Sequence, residues 1–218
     1  PGYEVCAHIE PCFEVGGDLY DVSTLPDGRV AVVVGDVAGK GLGAALLVSS
    51  LVPLLRAMLE ADPDLASLTS NLNRQLWRTT DPMRYSTLFL GVLDPATGRL
   101  EYVNAGHNPP VLVRAHGAVE IIGSTGLPVA LLDTGTWKKD ELTLQPGDVL
   151  ALYSDGIPET WRDEDHDYGD ERFQDFLVTQ RGGTAQEIRD ASLKDVSDFR
   201  GDAPVGDDVT LLVLRRLP

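Results

Sequence analysis

The chain has 218 residues, 43% of them hydrophobic, so it can bury a substantial core, and its length suits one domain better than two. Its 34 acidic residues outnumber its 18 lysines and arginines, and the formal net charge is −16. This balance argues against a nucleic-acid partner, because contacts to a phosphate backbone need a basic protein face. A phosphorylated substrate is still compatible with it, since a bound metal ion can create a locally positive centre.

The two cysteines, Cys6 and Cys12, flank His8 at a spacing that matches no structural zinc pattern, and we expect them to be free buried thiols. So few cysteines indicate a reducing compartment, and a cytoplasmic location is expected. We find no signal peptide and no run of about 18 apolar residues, so no membrane insertion is expected. The sequence begins at Pro1, shortly before strand-like sequence, which suggests a domain taken from a longer chain.

In the first third of the chain, strand patterns lie at 3–9, 18–25 and 29–34, and the turn at 26–28 predicts a hairpin. An apolar helix is predicted over 42–61, with Pro53 causing a kink or an early break. A second, amphipathic helix is predicted over 64–78, with Asp64 as its N-cap.

The rest of the chain alternates between strand and helix patterns. Short β-type runs at 86–93, 99–104, 111–114, 119–122 and 141–144 predict an antiparallel meander, and 149–153 predicts a central buried strand. Helices are predicted over 171–180 and over 184–199, the second with a capping box, before a last strand at 209–216. This order favours an α+β fold with helices packed on antiparallel sheets.

Glycine-flanked aspartates recur in four clusters next to strands. The clusters contain Asp18 with Asp21, Asp36, Asp155, and Asp207 with Asp208. Taken singly, each is explained by a turn. Gathered at strand ends, such carboxylates would repel one another, and a hard divalent cation such as Mg²⁺ or Mn²⁺ is the usual remedy.

Three other patterns, at 35–41, at 163–169 and at His107, each allow a simpler explanation. Segment 35–41 lacks the spacing of a phosphate-binding P-loop, so its glycines are expected to leave carbonyls such as that of Val37 free as metal ligands. Segment 163–169 fails the EF-hand count and is interpreted as a solvated acidic loop. His107 is either a proton donor or ligand, or a turn histidine bonded to backbone.

Five motifs in order resemble the RsbU/SpoIIE-type branch of the PP2C-like (PPM) metal-dependent protein phosphatases, the bacterial stress-response and sporulation branch. They are VGGDLYD at 15–21, GDVAGKG at 35–41 followed by AAL at 44–46, NAGHNP at 104–109, YSDGI at 153–157 with Glu159, and DDVT at 207–210. The resemblance covers essentially the whole chain. It implies one phosphatase domain over 1–218, built as an α-β-β-α sandwich of two antiparallel sheets flanked by helix pairs.

The resemblance implies hydrolysis of phosphoserine or phosphothreonine in proteins, by a water activated between two Mn²⁺ or Mg²⁺ ions. It makes Asp36 the bridging ligand, gives one ion to Asp18 and the Val37 carbonyl, and gives the other to Asp155 and Asp207. Asp21, Lys40, His107 and Asp208 are expected behind these ligands or at the substrate. Eukaryotic relatives carry a histidine where this chain has Ala38, so the leaving oxygen would be protonated from a metal-bound water or by His107.

The same resemblance implies a phosphorylated anti-anti-sigma-type (STAS) protein as substrate, an upstream sensory domain as regulator, and allows for a homodimer. Two alternatives stay open at this stage. One is a catalytically weak or silent PP2C-like binding module, and the other is a calcium-binding structural domain. Mn²⁺-dependent turnover separates the phosphatase from both.

Overall fold

The structure, a computed structural model, describes residues 2–61, 64–79 and 84–218. The described part has the mixed α+β fold that the order of patterns predicts, with two five-stranded antiparallel sheets, a two-stranded hairpin and four helices. In chain order the elements are β1 (Tyr3–Glu10), β2 (Asp18–Thr24), β3 (Val30–Val37), α1 (Leu42–Ala61), α2 (Leu65–Thr79), β4 (Ser86–Leu93), β5 (Arg99–Ala105), β6 (Val111–Val113), β7 (Val119–Ile121), β8 (Asp140–Thr143), β9 (Val149–Tyr153), β10 (Trp161–Asp163), β11 (His166–Asp167), α3 (Asp170–Gln180), α4 (Ala185–Arg200) and β12 (Val209–Arg216).

The chain divides into two compact units, which are described separately. Unit 1 consists of Pro1–Phe13, Pro110–Ile122 and Leu144–Pro218, and unit 2 of Glu14–Pro109 and Gly123–Thr143. Each unit contains one five-stranded sheet and two of the helices. The expectation of a single domain over 1–218 stays a prediction.

Unit 2 carries the sheet β2-β3-β4-β5-β8, with α1 and α2 packed on it. The inner strands are rich in valine and leucine and almost wholly buried, as a strand with neighbours on both sides and a covered face requires. One cluster of apolar side chains from the sheet and both helices forms the core of this unit. The predicted hairpin is confirmed, since β2 pairs with β3 over its whole length.

Helix α1 corrects two expectations. It runs through Pro53 to Ala61, so the early break is wrong. It is also long and apolar enough, by length and composition, to meet the criterion for a membrane span, although the core helix of a globular unit passes the same test. Its buried leucines, among them Leu51 and Leu55, belong to the core of unit 2. Helix α2 is confirmed with its cap, since Asp64 accepts a hydrogen bond from the Ser67 N–H at 3.3 Å.

Unit 1 carries the sheet β1-β12-β9-β6-β7, on which α3 and α4 pack. Strand β9 is central and fully buried, as its continuous apolar run predicts. The capping box that opens α4 is also confirmed, because Thr184 and Glu187 each bond to the other's backbone N–H. A second apolar cluster, separate from that of unit 2, fills the core between this sheet and its helices.

Two expectations about the strands are wrong. The five short strands do not form one meander, because β6 and β7 join the sheet of unit 1 through β9, whereas β4, β5 and β8 belong to unit 2. Alternation of apolar and polar residues shows that a segment is a strand but not which partner it takes. The acidic segment 163–169 is not simply a loop either, because part of it pairs as the exposed hairpin β10–β11.

Candidate metal centre

The hairpin β2–β3 brings Asp18 and Asp36 directly opposite each other, as residues that pair across the two strands. The Asp18 side chain is buried and Asp36 is half-buried. The turn that sets this register closes with a hydrogen bond from the Leu25 N–H to the Arg29 carbonyl at 2.8 Å, and Gly28 adopts the positive φ of 87° that the turn requires. The hairpin thus brings together, within unit 2, two carboxylates that belong to different sequence motifs.

Oxygen atoms converge around Gly17, just before β2. A Cβ atom at this position would lie 2.5 Å from the carbonyl oxygen of Val37, 3.0 Å from Oδ1 of Asp36 and 3.3 Å from the carbonyl oxygen of Gly39. Only a glycine leaves these oxygens their space. Carboxylate and carbonyl oxygens are the donors that Mg²⁺, Mn²⁺ and Ca²⁺ prefer, so the residues present fit a hard divalent cation.

The two remaining clusters meet within unit 1. Asp155 lies two residues after β9, and its neighbour Ser154 donates a hydrogen bond from Oγ to the carbonyl oxygen of Asp208 at 3.2 Å. A side chain at Gly156 would overlap that same carbonyl. The segment after β9 and the segment before β12 are therefore held in direct contact beside Asp155.

Asp207 and Asp208 form the other side of this cluster, together with Cys12. The Sγ atom of Cys12 and one carboxylate oxygen from each aspartate lie within 4.8 Å of one another. Asp208 Oδ1 accepts a hydrogen bond from the Cys12 N–H at 2.8 Å, and Asp207 Oδ1 accepts one from the Asp208 N–H at 2.9 Å. Asp207 and Asp208 are thus close enough to bind the same metal ion. Their order in the motif does not show which of the two is the ligand.

Asp21 has a partner of its own. It is buried on β2, and the guanidinium of Arg56 on α1 donates to both of its carboxylate oxygens, with 2.7 Å from Nε to Oδ2. This bidentate hydrogen bonding raises the pKa of Arg56 above its ordinary value. Asp21 therefore fastens α1 to the hairpin that carries Asp18 and Asp36. The predicted Lys40 is exposed in the loop that leads into α1.

His107 is buried at the end of β5 and bonds in two directions. Its Nδ1 lies 2.9 Å from Oγ1 of Thr87, and its backbone N–H donates to Oδ1 of Asn104 at 2.8 Å. Thr87 is the residue of β4 that pairs with Asp36. His107 thus bonds to the turn through its backbone, and its ring contacts Thr87, the strand neighbour of the predicted ligand Asp36.

Two residues near these clusters were not found by the sequence analysis. Cys12 was expected to be a buried thiol, but both cysteines are free and only half-buried, and Cys12 lies against two of the predicted ligands. Arg84 lies beside the loop that follows Asp36, as described below. A possible signal for Arg84 was its place two residues before β4, in register with that loop.

Known proteins resemble the chain over nearly its full length. "Protein IcfG" of Synechocystis is 27% identical over 98% of this chain and 38% of its own length, and "Phosphoserine phosphatase RsbU" of Bacillus subtilis is 27% identical over 94% and 61%. The solved PP2C phosphatase domain with a regulatory fragment of SpoIIE from Bacillus subtilis superposes with a TM-score of 0.82 at 25% identity, over 98% of this chain and 63% of that one.

The chain therefore spans less than two thirds of the length of each of these proteins. Its two antiparallel sheets and four described helices match the fold of PP2C phosphatase domains. The family described as stage II sporulation protein E (SpoIIE) matches residues 26–217, which is most of the chain. The chain belongs to the SpoIIE family, whose domains are PP2C-like.

Proposed function

We propose that this chain is a metal-dependent serine/threonine protein phosphatase. The observation that carries the proposal is the pairing of Asp18 with Asp36 across β2 and β3, with three oxygens converging at Gly17, in a chain of the SpoIIE family. The relative RsbU is named a phosphoserine phosphatase, which supports the same reaction class. An all-oxygen donor set suits the hard cations used in phosphoryl hydrolysis.

The proposal includes two Mn²⁺ or Mg²⁺ ions. Asp18, Asp36 and the Val37 carbonyl would supply ligands from unit 2, and Asp155 and Asp207 would supply them from unit 1. The support for these two ligand sets is the resemblance of the motifs at 15–21, 35–41, 153–157 and 207–210 to those of PP2C-like phosphatases. Two divalent ions, when bound, supply an activated nucleophile and neutralise charge on the phosphoryl group.

The chain's own residues have further roles in this proposal. His107, which is buried with Nδ1 2.9 Å from Oγ1 of Thr87, is the proposed proton donor, because this chain has Ala38 where eukaryotic relatives carry a histidine. Asp21 holds α1 through Arg56 and so fixes the hairpin. Asp208 orders Cys12 and the segment before β12, and Lys40 offers a cation in the loop after Asp36.

The proposed substrate is a phosphorylated regulatory protein of the anti-anti-sigma (STAS) type, in the cytoplasm. RsbU-type relatives support regulatory protein partners in general. An upstream sensory domain would control the activity in a longer chain, and a homodimer is compatible with this scheme.

The test measures phosphate release from a phosphoserine protein and from p-nitrophenyl phosphate with and without Mn²⁺. Asp36→Asn should lower kcat/KM by roughly 100-fold or more, because even the outer partners of metal ligands cost about 10–100-fold when they are changed. The matched control is Asp27→Asn, an exposed aspartate in the turn of the same hairpin, which should leave the rate unchanged. Equal Mn²⁺-dependent rates for wild type and Asp36→Asn would contradict the proposed site, and no Mn²⁺-dependent phosphate release by the wild type would favour the silent binding module.

A further inference from the structure

Arg84 lies next to the loop that follows Asp36 because of the register between β3 and β4. Val37 pairs with Ser86, and the Ala38 N–H continues the ladder with a hydrogen bond to the Tyr85 carbonyl at 2.9 Å. One further step along both strands places Arg84 beside Gly39. The arginine is thus fixed within unit 2, three residues from the predicted ligand Asp36 on the facing strand.

The guanidinium of Arg84 lies beside Gly39, in the loop before α1, and beside Gly43, in the first turn of the helix. A Cβ atom at Gly43, in the first turn of the helix, would lie 2.9 Å from the guanidinium carbon of Arg84, so any other residue there would displace it. A Cβ atom at Gly39 would lie 3.8 Å from Nη1 of Arg84, and no other described heavy atom outside the glycine's immediate neighbours comes within 4 Å of that point. The missing side chain of Gly39 therefore leaves room for an atom near Nη1 of Arg84.

The guanidinium nitrogen nearest to Gly39 is Nη1. Nη1 of Arg84 is buried and has no hydrogen-bond acceptor among the described residues. A buried N–H of a charged group without an acceptor is unfavourable, because it has lost water and gained nothing in exchange. Other arginines of this acidic chain are paired with carboxylates, namely Arg56, Arg99, Arg114, Arg172 and Arg189.

The surroundings of Arg84 favour an anion. The first turn of α1 contains no acidic residue. The N–H groups of a helix's first turn lack partners within the helix and carry partial positive charge, which adds to the charge of the arginine. A guanidinium presents its donors in a planar fork that matches the oxygens of a phosphate group.

We propose that Arg84 binds an oxygen of the phosphoryl group beside Gly39 and Gly43, and so orients a phosphate monoester for the reaction proposed above. The inference rests on that proposed function for its substrate class. It predicts recognition of the phosphoryl group itself, so inorganic phosphate, the reaction product, should be bound in the same way. Arg84 would therefore contact the phosphoryl group, which every phosphoprotein substrate contains.

The experiment measures binding of inorganic phosphate by isothermal titration calorimetry in the presence of Mn²⁺, without any turnover. Arg84→Met keeps an apolar stem and removes the fork, and it should raise the dissociation constant for phosphate at least about tenfold, the loss expected for a hydrogen bond to a charged group. Arg84→Lys keeps a point charge and should lie in between. The matched control Arg78→Met removes an exposed arginine from α2 of the same unit and should leave the dissociation constant unchanged.

A purely structural role for Arg84 would give a different pattern. It predicts a lower thermal unfolding midpoint for Arg84→Met and an unchanged affinity for phosphate. We expect the midpoint in phosphate-free buffer to stay the same or rise, since the variant removes a buried nitrogen that lacks an acceptor. For p-nitrophenyl phosphate, we expect a higher KM in the Arg84 variants.

The two proposals fail in distinguishable ways. If hydrolysis depends on Asp36 but phosphate affinity is the same in wild type and Arg84→Met, the Arg84 inference is overturned and the phosphatase stands. If phosphate binding depends on Arg84 but no substrate is hydrolysed, the anion site stands and the proposed activity fails. A wild-type protein that binds no phosphate in the presence of Mn²⁺ also overturns the inference.

Discussion

At the scale of single residues, backbone oxygens matter as much as the aspartates. Gly17 lacks a side chain where the carbonyl oxygens of Val37 and Gly39 approach the Asp36 carboxylate. This motif therefore specifies more than a turn, since Gly17 leaves room for oxygens of the kind that bind a hard cation. The position of Gly17 can be tested without altering any proposed ligand.

Gly17→Ala should disturb these oxygens, because its Cβ would lie 2.5 Å from the Val37 carbonyl oxygen. Overpacking of this kind typically costs about 1–3 kcal/mol, and we expect weaker Mn²⁺ binding by titration calorimetry and lower phosphatase activity. Gly123→Ala, in the same unit, is the control because a Cβ there meets no described atom within 4 Å. Unchanged Mn²⁺ affinity in Gly17→Ala would show that these oxygens do not contribute.

Site residues could be predicted from the sequence only where they belong to a recognisable motif. The hairpin that brings Asp18 and Asp36 together was predicted from its turn, whereas their direct pairing is seen only in the structure. Arg84 and Cys12 were missed, because one depends on the register of a strand pair and the other on contact with a segment about 200 residues away. Neither relation leaves a local pattern in the chain.

At the scale of elements, helix starts are defined by side chains that bond to free backbone N–H groups. Asp64 does this for α2, and its pKa is lowered, chiefly by a hydrogen bond from the Ser67 side chain and further by the one from the Ser67 N–H. Thr184 and Glu187 do it reciprocally for α4. The Glu187 carboxylate accepts from the Thr184 N–H at 2.8 Å, and this backbone hydrogen bond is the main cause of its lowered pKa.

The capping box should make part of the stability depend on pH. Since the pKa of Glu187 is lower in the folded chain than its ordinary value of 4.5, its contribution is complete above about pH 4.5 and is lost as the pH falls through the folded-state pKa. Glu187→Gln should therefore be less stable than wild type at pH 7, and the difference in unfolding free energy should shrink in acid. Urea denaturation of both proteins at pH 7 and at pH 3 measures this difference in unfolding free energy.

The control for this prediction is Glu171→Gln, an exposed glutamate in the first turn of α3, where the cap residue Gly169 makes no side-chain hydrogen bond. Its effect should be small at both pH values. A Glu187→Gln defect that stays constant down to pH 3 would mean that the amide fails for a reason other than charge.

The sequence allowed the elements to be predicted better than their assembly. Bounds of α1, α2, β4, β9 and β12 were predicted nearly to the residue, because apolar periodicity and caps are local signals. The partners of β6, β7 and β8 were not, since a strand's pattern does not identify the sheet it joins. Pro53 was overridden because the apolar face of α1 gains more by burial than one missing hydrogen bond costs.

At the scale of the whole molecule, unit 1 is assembled from three separate stretches of chain. Asp148 helps to tie two of them together. Its buried carboxylate accepts hydrogen bonds from Arg114 Nη1 at 2.7 Å, from the Ala115 N–H at 3.0 Å and from the Gln145 N–H at 2.8 Å. One side chain thus links the end of β6 to the start of β9.

Asp148→Ala should lower the free energy of unfolding by about 3 kcal/mol or more, because it leaves Nη1 of Arg114 and two backbone N–H groups without their acceptor, and each such buried donor costs about 1–3 kcal/mol. Arg114 keeps its second partner, Glu120. Glu120→Ala removes the other carboxylate bound to Arg114, which is half exposed, and should cost at most about 1 kcal/mol. Chemical denaturation of the two variants checks the difference. Similar losses in both would show that burial does not distinguish the two ion pairs.

The pairing of β1 with β12 also sets the order of events during synthesis. In the described part of the chain, residues 3–10 pair with residues 209–216, and β12 lies between β1 and β9 in the sheet. Until residues 209–216 have been synthesised, β12 cannot cover the edges of β1 and β9 with which it pairs. Such edges invite pairing with other nascent chains, so slowing translation before residue 209 should increase aggregation, and chaperone binding in that window should protect against it.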